Sequence, residues 1–203
     1  MRTHARAISL HMITIVFVNG KGGVGKTTGC LAMALAAQAD GRHGPVVVVD
    51  LDQQLTAFNH LQKNKTGLVP MTKLPSKGGL VFVDTPGLDL QMTRQAITNA
   101  NLVVIPTEAT TFSLRGSLTA ALIAEKSRRP VCWLPSRVRR TKASEMIGDN
   151  LRDLMAPRGL TWPVLPGLPE LVGCHNYLTG EPEEKFAQHI LANWTVVKGL
   201  LTL

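Results

Sequence analysis

The sequence has 203 residues, of which 44% are hydrophobic, so we expect one compact domain over residues 1–203 with one well-buried core. No apolar run reaches the roughly 18 residues of a membrane span, and the first residues lack the apolar length of a signal peptide, which predicts a cytoplasmic protein without membrane contact. Three cysteines without CxxC spacing argue against a disulfide framework or a thiolate metal site, and a net charge of +8 points to a polyanionic partner.

Short runs of β-branched and apolar residues, each bounded by turn residues, predict strands along the whole chain. Unbroken hydrophobicity of this kind is typical of parallel strands that are covered on both faces. The predicted strands are residues 13–18, 46–50, 80–84, 102–106, 131–135 and 162–166.

Apolar residues recur at helical spacing between these runs and after the last of them. The predicted helices are residues 27–39, 90–100, 113–126, 144–155 and 183–201. This alternation predicts an α/β fold with a doubly wound, mostly parallel sheet, helices on both faces, and ligands at the carboxyl ends of the strands. Residues 53–73 are the least periodic part, and residues 1–11, which precede Met12, are expected to be a flexible extension or the result of an upstream start.

The stretch NGKGGVGKTT at residues 19–28 matches the phosphate-binding pattern G-x-x-x-x-G-K-[ST]. It follows the first predicted strand and opens the first predicted helix, the setting of a P-loop; a glycine-rich turn without a ligand is the alternative. Backbone N–H groups would surround phosphate oxygens, Lys26 would reach the terminal phosphates, and the Thr27 hydroxyl would bind Mg²⁺. The predicted nucleotide-binding residues are Gly22, Gly23, Val24, Gly25, Lys26, Thr27 and Thr28.

Acidic residues end two of the predicted strands. Asp84 closes the run 80–84 and is followed by Thr-Pro-Gly, which fits a carboxylate that holds a magnesium-bound water. Asp50 and Asp52 end the neighbouring strand. These carboxylates strengthen the prediction of a P-loop that binds nucleotide phosphates and Mg²⁺.

The strings KGGVGKTT, DLD and DTPG together resemble the ParA and MinD superfamily of deviant Walker A ATPases, and the small ParF-type plasmid partition ATPases match best, over most of the chain. The resemblance implies that Lys21, the early lysine, crosses to the partner subunit and contacts its phosphates in a nucleotide-sandwich homodimer. A solvated loop lysine is the alternative. The sequence departs from the family pattern at Gln53, where proline is usual, and at Gly20, where glutamine is usual.

The resemblance also implies the catalytic roles, which fall on Lys21, Lys26 and Asp52. Asp52 positions or activates the attacking water, Thr27 with Asp84 through water holds Mg²⁺, and Asp50 acts through these groups rather than on the ion. No arginine finger is evident in the chain, so we expect slow hydrolysis of ATP to ADP and phosphate. A centromere-binding or cargo adaptor protein would accelerate it.

The implied cycle is that of a DNA-segregation ATPase in plasmid partition, located on the nucleoid: ATP favours a dimer that binds DNA without sequence preference, and hydrolysis releases it. Residues 126–142 hold seven lysines and arginines and no acid. A strand at 131–135 would place Arg128 and Arg129 about 17 Å from the second basic group, which alone lies on the nucleotide side. The predicted DNA-binding residues are therefore Arg137, Arg139, Arg140 and Lys142.

Several alternatives stay open. The basic segment could be a solvated face, or one of its arginines could serve adenosine or a phosphate. The cargo could be a carboxysome or a chemotaxis array, and the chain could instead be a small-molecule kinase or ligase of the same fold. The tail ILANWTVVKGLLTL could be a membrane-targeting helix like that of MinD, although core packing is the favoured interpretation.

Overall fold

The computed structural model describes residues 12–76, 79–87, 90–170, 173–181 and 183–203, so the predicted extension 1–11 lies outside the described residues. Its centre is one six-stranded sheet in which every neighbouring pair of strands is parallel. The strands are β1 (Met12–Phe17), β2 (Val46–Asp50), β3 (Val69–Met71), β4 (Gly79–Asp84), β5 (Leu102–Glu108) and β6 (Val131–Ser136). Their order is β3-β2-β4-β1-β5-β6, which places β1 between β4 and β5.

Helices connect these strands and cover the sheet. One of them, Ala156–Arg158, is a short 3-10 helix. The α-helices are α1 (Lys26–Asp40), α2 (Thr56–Lys63), α3 (Leu90–Thr98), α4 (Thr111–Ser127), α5 (Lys142–Glu145), α6 (Ile147–Met155), α7 (Cys174–Thr179) and α8 (Glu184–Leu201). All the predicted helices are present, the one predicted at 144–155 as α5 and α6, whereas α2 and α7 were not predicted.

The sheet has a separate hydrophobic core on each face. Successive residues of a strand point to opposite faces, so in β5 Leu102 and Val104 pack with α1 and α8 while Val103 and Ile105 pack with α3, α4 and α6. All four side chains are fully buried. This arrangement explains the unbroken hydrophobic runs and confirms the predicted doubly wound α/β fold.

Two details of the predicted sheet are wrong. Residues 162–166 form no strand and make only one bridge, between Val164 and Trp133, because Pro163 has no N–H to donate to a ladder. The short strand β3 was missed because it has only three residues and contains Pro70. Proline is tolerated there since β3 is the edge of the sheet and pairs with β2 alone.

The C-terminal helix α8 belongs to the core. Phe186, Ile190, Trp194 and Val197 are fully buried on the face shared with α1. The Trp194 indole N–H also donates to Asp40 at the end of α1, at 3.1 Å. The tail therefore packs against the sheet, in agreement with the favoured interpretation. None of the described helices is both long and apolar enough to span a bilayer.

Candidate nucleotide-binding site

The loop between β1 and α1 has the geometry of an anion site. Helix α1 begins at Lys26, and Gly25 before it adopts φ 87°, a left-handed conformation that strains other residues. A Cβ atom on Gly25 would also lie 3.3 Å from the Cβ atom of Ser136. No described side chain caps the start of α1, so the N–H groups of its first turn are available to phosphate oxygens.

Two buried polar side chains that sequence reasoning missed hold this loop in place. Asn19 accepts a hydrogen bond from the backbone N–H of Lys21 at 2.9 Å and donates to the carbonyl of Pro106 in β5 at 2.7 Å. Ser136, at the end of β6, donates to the carbonyl of Val24 at 2.7 Å. The loop is thus fixed by contacts to β5 and β6, and the buried Val24 can offer a ligand only its backbone.

Lys26 lies where it can serve phosphates bound by its own loop. Its Nζ atom donates to the carbonyl oxygen of Lys21 at 3.3 Å. Burial lowers the pKa of Lys26, and the nearby carboxylates of Asp84 and Asp52 act in the opposite direction. The ammonium group thus lies against the loop, within the electrostatic influence of both carboxylates.

Thr27 and Asp84 form the part of the site that fits a metal ion. The Thr27 hydroxyl donates to Asp84 Oδ2 at 2.6 Å, and Asp84 is buried at the end of β4. No described residue donates to the buried Oδ1 atom of Asp84. Burial raises the pKa of Asp84 to about 7, against the hydrogen bond from Thr27. A hydroxyl beside a carboxylate with an unused oxygen suits Mg²⁺, which prefers oxygen ligands and keeps several of its waters.

The two acidic residues after β2 occupy different positions. Asp50 is buried, and its two carboxylate oxygens accept hydrogen bonds from the backbone N–H groups of Asp52 and Phe58, each at 3.0 Å. Asp52 is half-buried and lines a cavity of about 690 Å³ together with Lys26 and Thr27. Asp50 therefore anchors the loop that carries Asp52, and Asp52 faces the P-loop.

Lys21 turns away from its own loop toward α4. Its Nζ atom donates to Ser113 Oγ at 2.6 Å and lies 3.7 Å from Glu108 Oε2. The same carboxylate accepts a hydrogen bond from the Ser113 hydroxyl at 3.2 Å. Glu108 and Ser113 were not predicted, and the position of Glu108 at the end of β5, beside β1, is the one signal that could have indicated it.

The four predicted DNA-binding residues are in different environments. Arg137 forms an ion pair with Glu108 at 2.9 Å, and Arg139 makes a two-pronged pair with Glu170. Arg140 and Lys142 form no ion pair among the described residues. The structure thus leaves two of the four charges unneutralised.

Arg137 also belongs to a second cavity beside the P-loop. It has a volume of about 360 Å³, and its lining combines loop residues with Leu168, Phe186 and Cys174. A pocket that is apolar on one side and adjoins the phosphate loop on the other suits a nucleoside. This location matches the alternative in which one arginine serves the nucleotide.

A P-loop that opens a helix, a threonine–aspartate pair at its base and a parallel sheet define a P-loop nucleotide-binding protein. The family model described as the CobQ/CobB/MinD/ParA nucleotide binding domain matches residues 15–181. The chain therefore belongs to this family, which confirms the resemblance to ParA and MinD.

Solved structures with the same fold span nearly the whole chain. Apo McdA of Cyanothece superposes with a TM-score of 0.70 at 16% identity, over 94% of this chain and 100% of that one. A putative plasmid partition protein of Borrelia burgdorferi bound to AMPPNP gives 0.70 at 13%, over 92% and 98%. Cobyrinic acid a,c-diamide synthase of Mycobacterium smegmatis with ADP and magnesium gives 0.61 at 20%, over 91% and 96%. A comparison with curated proteins gives no match.

Proposed function

We propose that this protein is a ParA-type ATPase that segregates DNA, as in plasmid partition, with ATP and Mg²⁺ as its cofactors. The observation that carries the ATPase part of the proposal is the Thr27–Asp84 hydrogen bond of 2.6 Å at the base of the P-loop, with Asp52 facing the same loop. Membership of the nucleotide-binding family supports it. So do the related folds that hold AMPPNP or ADP with magnesium.

The residues of the site have separate roles in hydrolysis. Loop N–H groups and Lys26 bind the phosphates, and Thr27 with Asp84, the latter through water, holds Mg²⁺. When bound there, the ion would neutralise phosphate charge. Asp52 orients the attacking water, and Asp50 keeps the Asp52 loop in place through its bonds to the backbone.

The proposal includes an ATP-dependent homodimer. Lys26 already serves the nucleotide of its own subunit, whereas the ammonium group of Lys21 points away from that loop, toward Ser113. A cation in this position is most useful for phosphate charge that its own subunit leaves unneutralised. We therefore assign Lys21 to the nucleotide of a second copy.

The dimer is proposed to bind DNA without sequence preference and to leave it after hydrolysis. Arg140 and Lys142 are the members of the predicted basic group that carry no ion pair among the described residues. Phosphate contacts of this kind do not depend on sequence. A centromere-binding or cargo adaptor protein is proposed to stimulate hydrolysis and thereby set the lifetime of the DNA-bound state on the nucleoid.

The test combines ATP hydrolysis with DNA binding. Phosphate release is measured with and without duplexes of unrelated sequence, and DNA binding is measured in ATP, in ADP and without nucleotide. We expect slow hydrolysis without any small-molecule acceptor, faster hydrolysis with DNA, and tighter DNA binding in ATP than in ADP. Equal DNA binding in all nucleotide states would exclude the proposed cycle.

A second candidate is a small-molecule ligase of the same fold. The likeness to cobyrinic acid a,c-diamide synthase, with a TM-score of 0.61 and 20% identity, favours it. Such an enzyme would hydrolyse ATP only with its acceptor and would not respond to DNA. The same assay therefore separates the two functions.

A further inference from the structure

A second basic surface lies away from the nucleotide, on the face of the sheet covered by α3 and α4. It combines cations from α3, from the end of α4, from the loop before β6 and from the 3-10 helix, and all of them are exposed. We name it the amino-edge surface. It consists of Arg94, Lys126, Arg128, Arg129 and Arg158.

The amino-edge surface is continuous. Arg94 and Lys126 line a groove of about 450 Å³ between α3 and α4. Lys126 also lines the neighbouring cavity of about 590 Å³, together with Arg128 and Arg158. Arg129 Nη2 donates to the carbonyl of Thr98, the last residue of α3, which ties this arginine to the same groove.

Little negative charge balances these cations. Of the described residues that line the two cavities, Glu125 alone is acidic, and its carboxylate lies 3.6 Å from Arg158. Arg94, Lys126 and Arg128 form no ion pair with any described residue. Clustered, exposed and unpaired cations create a positive potential that attracts a polyanion.

The amino-edge surface and the P-loop lie at opposite edges of the sheet. The surface is at the amino ends of the strands, and the P-loop is at their carboxyl ends. Arg128 and Arg129 come shortly before β6 in the chain, and the N–H of Val103 in β5 bonds to the carbonyl of Pro130, so both arginines lie near the amino ends of β5 and β6. Six-residue β6 then runs roughly 20 Å to Ser136, which contacts the P-loop. A second copy that shares nucleotide at the carboxyl edge would leave the amino edge facing solvent.

We propose that the amino-edge surface binds the phosphate backbone of duplex DNA, in the monomer as well as in the dimer. The identity of the ligand, DNA, rests on the proposed function, whereas the location of the surface does not. Regularly spaced phosphates suit a row of guanidinium and ammonium groups, and such contacts need no base recognition. Because the surface is remote from nucleotide, it gives a DNA affinity that does not require ATP. The dimer gains from presenting two copies.

The test removes three charges without disturbing other contacts. The amino-edge variant combines Arg94→Gln, Lys126→Gln and Arg128→Asn; asparagine is chosen because Arg128 has φ 56°, which asparagine tolerates. The matched control combines Lys63→Gln, Lys65→Gln and Lys73→Gln, which remove the same charge from exposed lysines elsewhere. Circular dichroism and thermal unfolding check that both variants fold.

Binding to an unrelated duplex is measured by fluorescence anisotropy, without nucleotide and with ATP, over a series of salt concentrations. We expect the amino-edge variant to bind at least about tenfold more weakly in both conditions, with a log–log salt slope shallower by about 2 to 3, since each lost phosphate contact removes about 0.9. The control should bind nearly as the parent does, and ATP hydrolysis without DNA should be unchanged in both.

Other results would contradict either this inference or the proposed function. Unchanged DNA affinity and salt slope in the amino-edge variant, or an equal loss in the control, would overturn the inference. It would also be overturned if polyglutamate, the probe for an acidic protein segment, bound the surface while DNA affinity stayed unchanged. If the parent shows no ATP-dependent dimer or DNA binding but the nucleotide-free affinity still falls in the variant, the proposed function fails and the surface stands.

Discussion

The ammonium group of Lys21 lies 3.7 Å from the carboxylate of Glu108 in the same subunit. Glu108 is also the partner of Arg137, at 2.9 Å, so one carboxylate holds a cation from the P-loop and another from the end of β6. A Lys21 side chain that reaches a second subunit must leave this carboxylate. In the proposed dimer, the phosphates of the second subunit's nucleotide would therefore have to attract Lys21 more strongly than Glu108 and Ser113 do.

The first prediction separates the two lysines of the loop. Lys21→Ala should retain ATP binding but lose ATP-dependent dimerisation, whereas Lys26→Ala should lose both. A charge-assisted contact to phosphate contributes about 1.5–3 kcal/mol, so we expect each loss to be roughly tenfold or more. Light scattering with ATP and Mg²⁺ measures the dimer, and nucleotide titration measures binding. An unimpaired Lys21→Ala dimer would exclude the sandwich arrangement.

The second prediction concerns the buried carboxylate at the base of the loop. Burial raises the pKa of Asp84 from its ordinary value of 3.8 to about 7, so the folded protein holds this proton more tightly than the unfolded chain does. Without nucleotide, stability should therefore fall as the pH rises from about 4 to about 7. Asp84→Asn, which removes the buried charge, should raise the melting temperature by a few degrees at pH 8 and by a clearly smaller amount at pH 5.

The same variant tests the metal assignment. ATP with Mg²⁺ should raise the melting temperature of the parent, because a ligand that binds only the folded state stabilises it. In Asp84→Asn the additional effect of Mg²⁺ should be lost. Thermal unfolding at the two pH values, with ATP alone and with ATP plus Mg²⁺, gives both results. A full magnesium effect in the variant would assign the ion to other residues.

The third prediction divides the basic group after β6. Replacing Arg140 and Lys142 with Ala should weaken binding to unrelated duplexes alike and make the salt dependence shallower by about 1 to 2, without changing ATP affinity. Arg137→Ala should instead lower ATP affinity, because Arg137 lines the cavity beside the P-loop. Arg139 is paired with Glu170, so Arg139→Ala should have a smaller effect on DNA than the double variant.

These measurements also test whether the four predicted DNA-binding residues act as one group. If Arg137, Arg139 and Arg140 all changed DNA affinity equally while ATP affinity stayed constant, the ion pairs would not matter and the four residues would act as one DNA surface. If DNA affinity were unchanged in every variant, this group would not contact DNA.

The sequence was most informative where a local motif carries the chemistry. Lys26 and Thr27 stand in a contiguous loop pattern, and Asp84 ends an unmistakable buried strand, so their meeting at one edge follows from a parallel sheet. The contacts that position the loop could not be predicted in this way. Ser136 is 112 residues from Val24, and nothing near it in sequence distinguishes it from any other serine at the end of a strand.

The errors in the predicted sheet have local causes. The run at 162–166 has the composition of a strand, but its prolines remove the N–H groups that a ladder requires. Strand β3 has only three residues, and its Val69 is exposed at the edge of the sheet, so no apolar pattern marks it. The neutralisation of Arg137 by Glu108 depends on two strands lying side by side and is invisible in the sequence.

The last prediction concerns hydrolysis. Asp52 lines the cavity that contains Lys26 and Thr27, and from the described part of the chain its carboxylate accepts a single hydrogen bond, from the N–H of Gln54 at 3.0 Å. It can therefore orient a water without being needed to bind phosphate. Asp52→Ala should leave ATP bound and the dimer formed but slow phosphate release by roughly 10²-fold or more, the usual contribution of a general base.

Slower hydrolysis should prolong the DNA-bound state, because the variant lacks the step that returns the dimer to its released form. The measurement is dissociation from immobilised nonspecific DNA after a wash with buffer that contains no ATP, run beside phosphate release. Asp50→Asn is the comparison: it should disturb the loop through the N–H bonds of Asp52 and Phe58 and so lower stability as well as rate. Fast dissociation of Asp52→Ala together with normal phosphate release would move the catalytic role to Asp50 or to a residue of the second subunit.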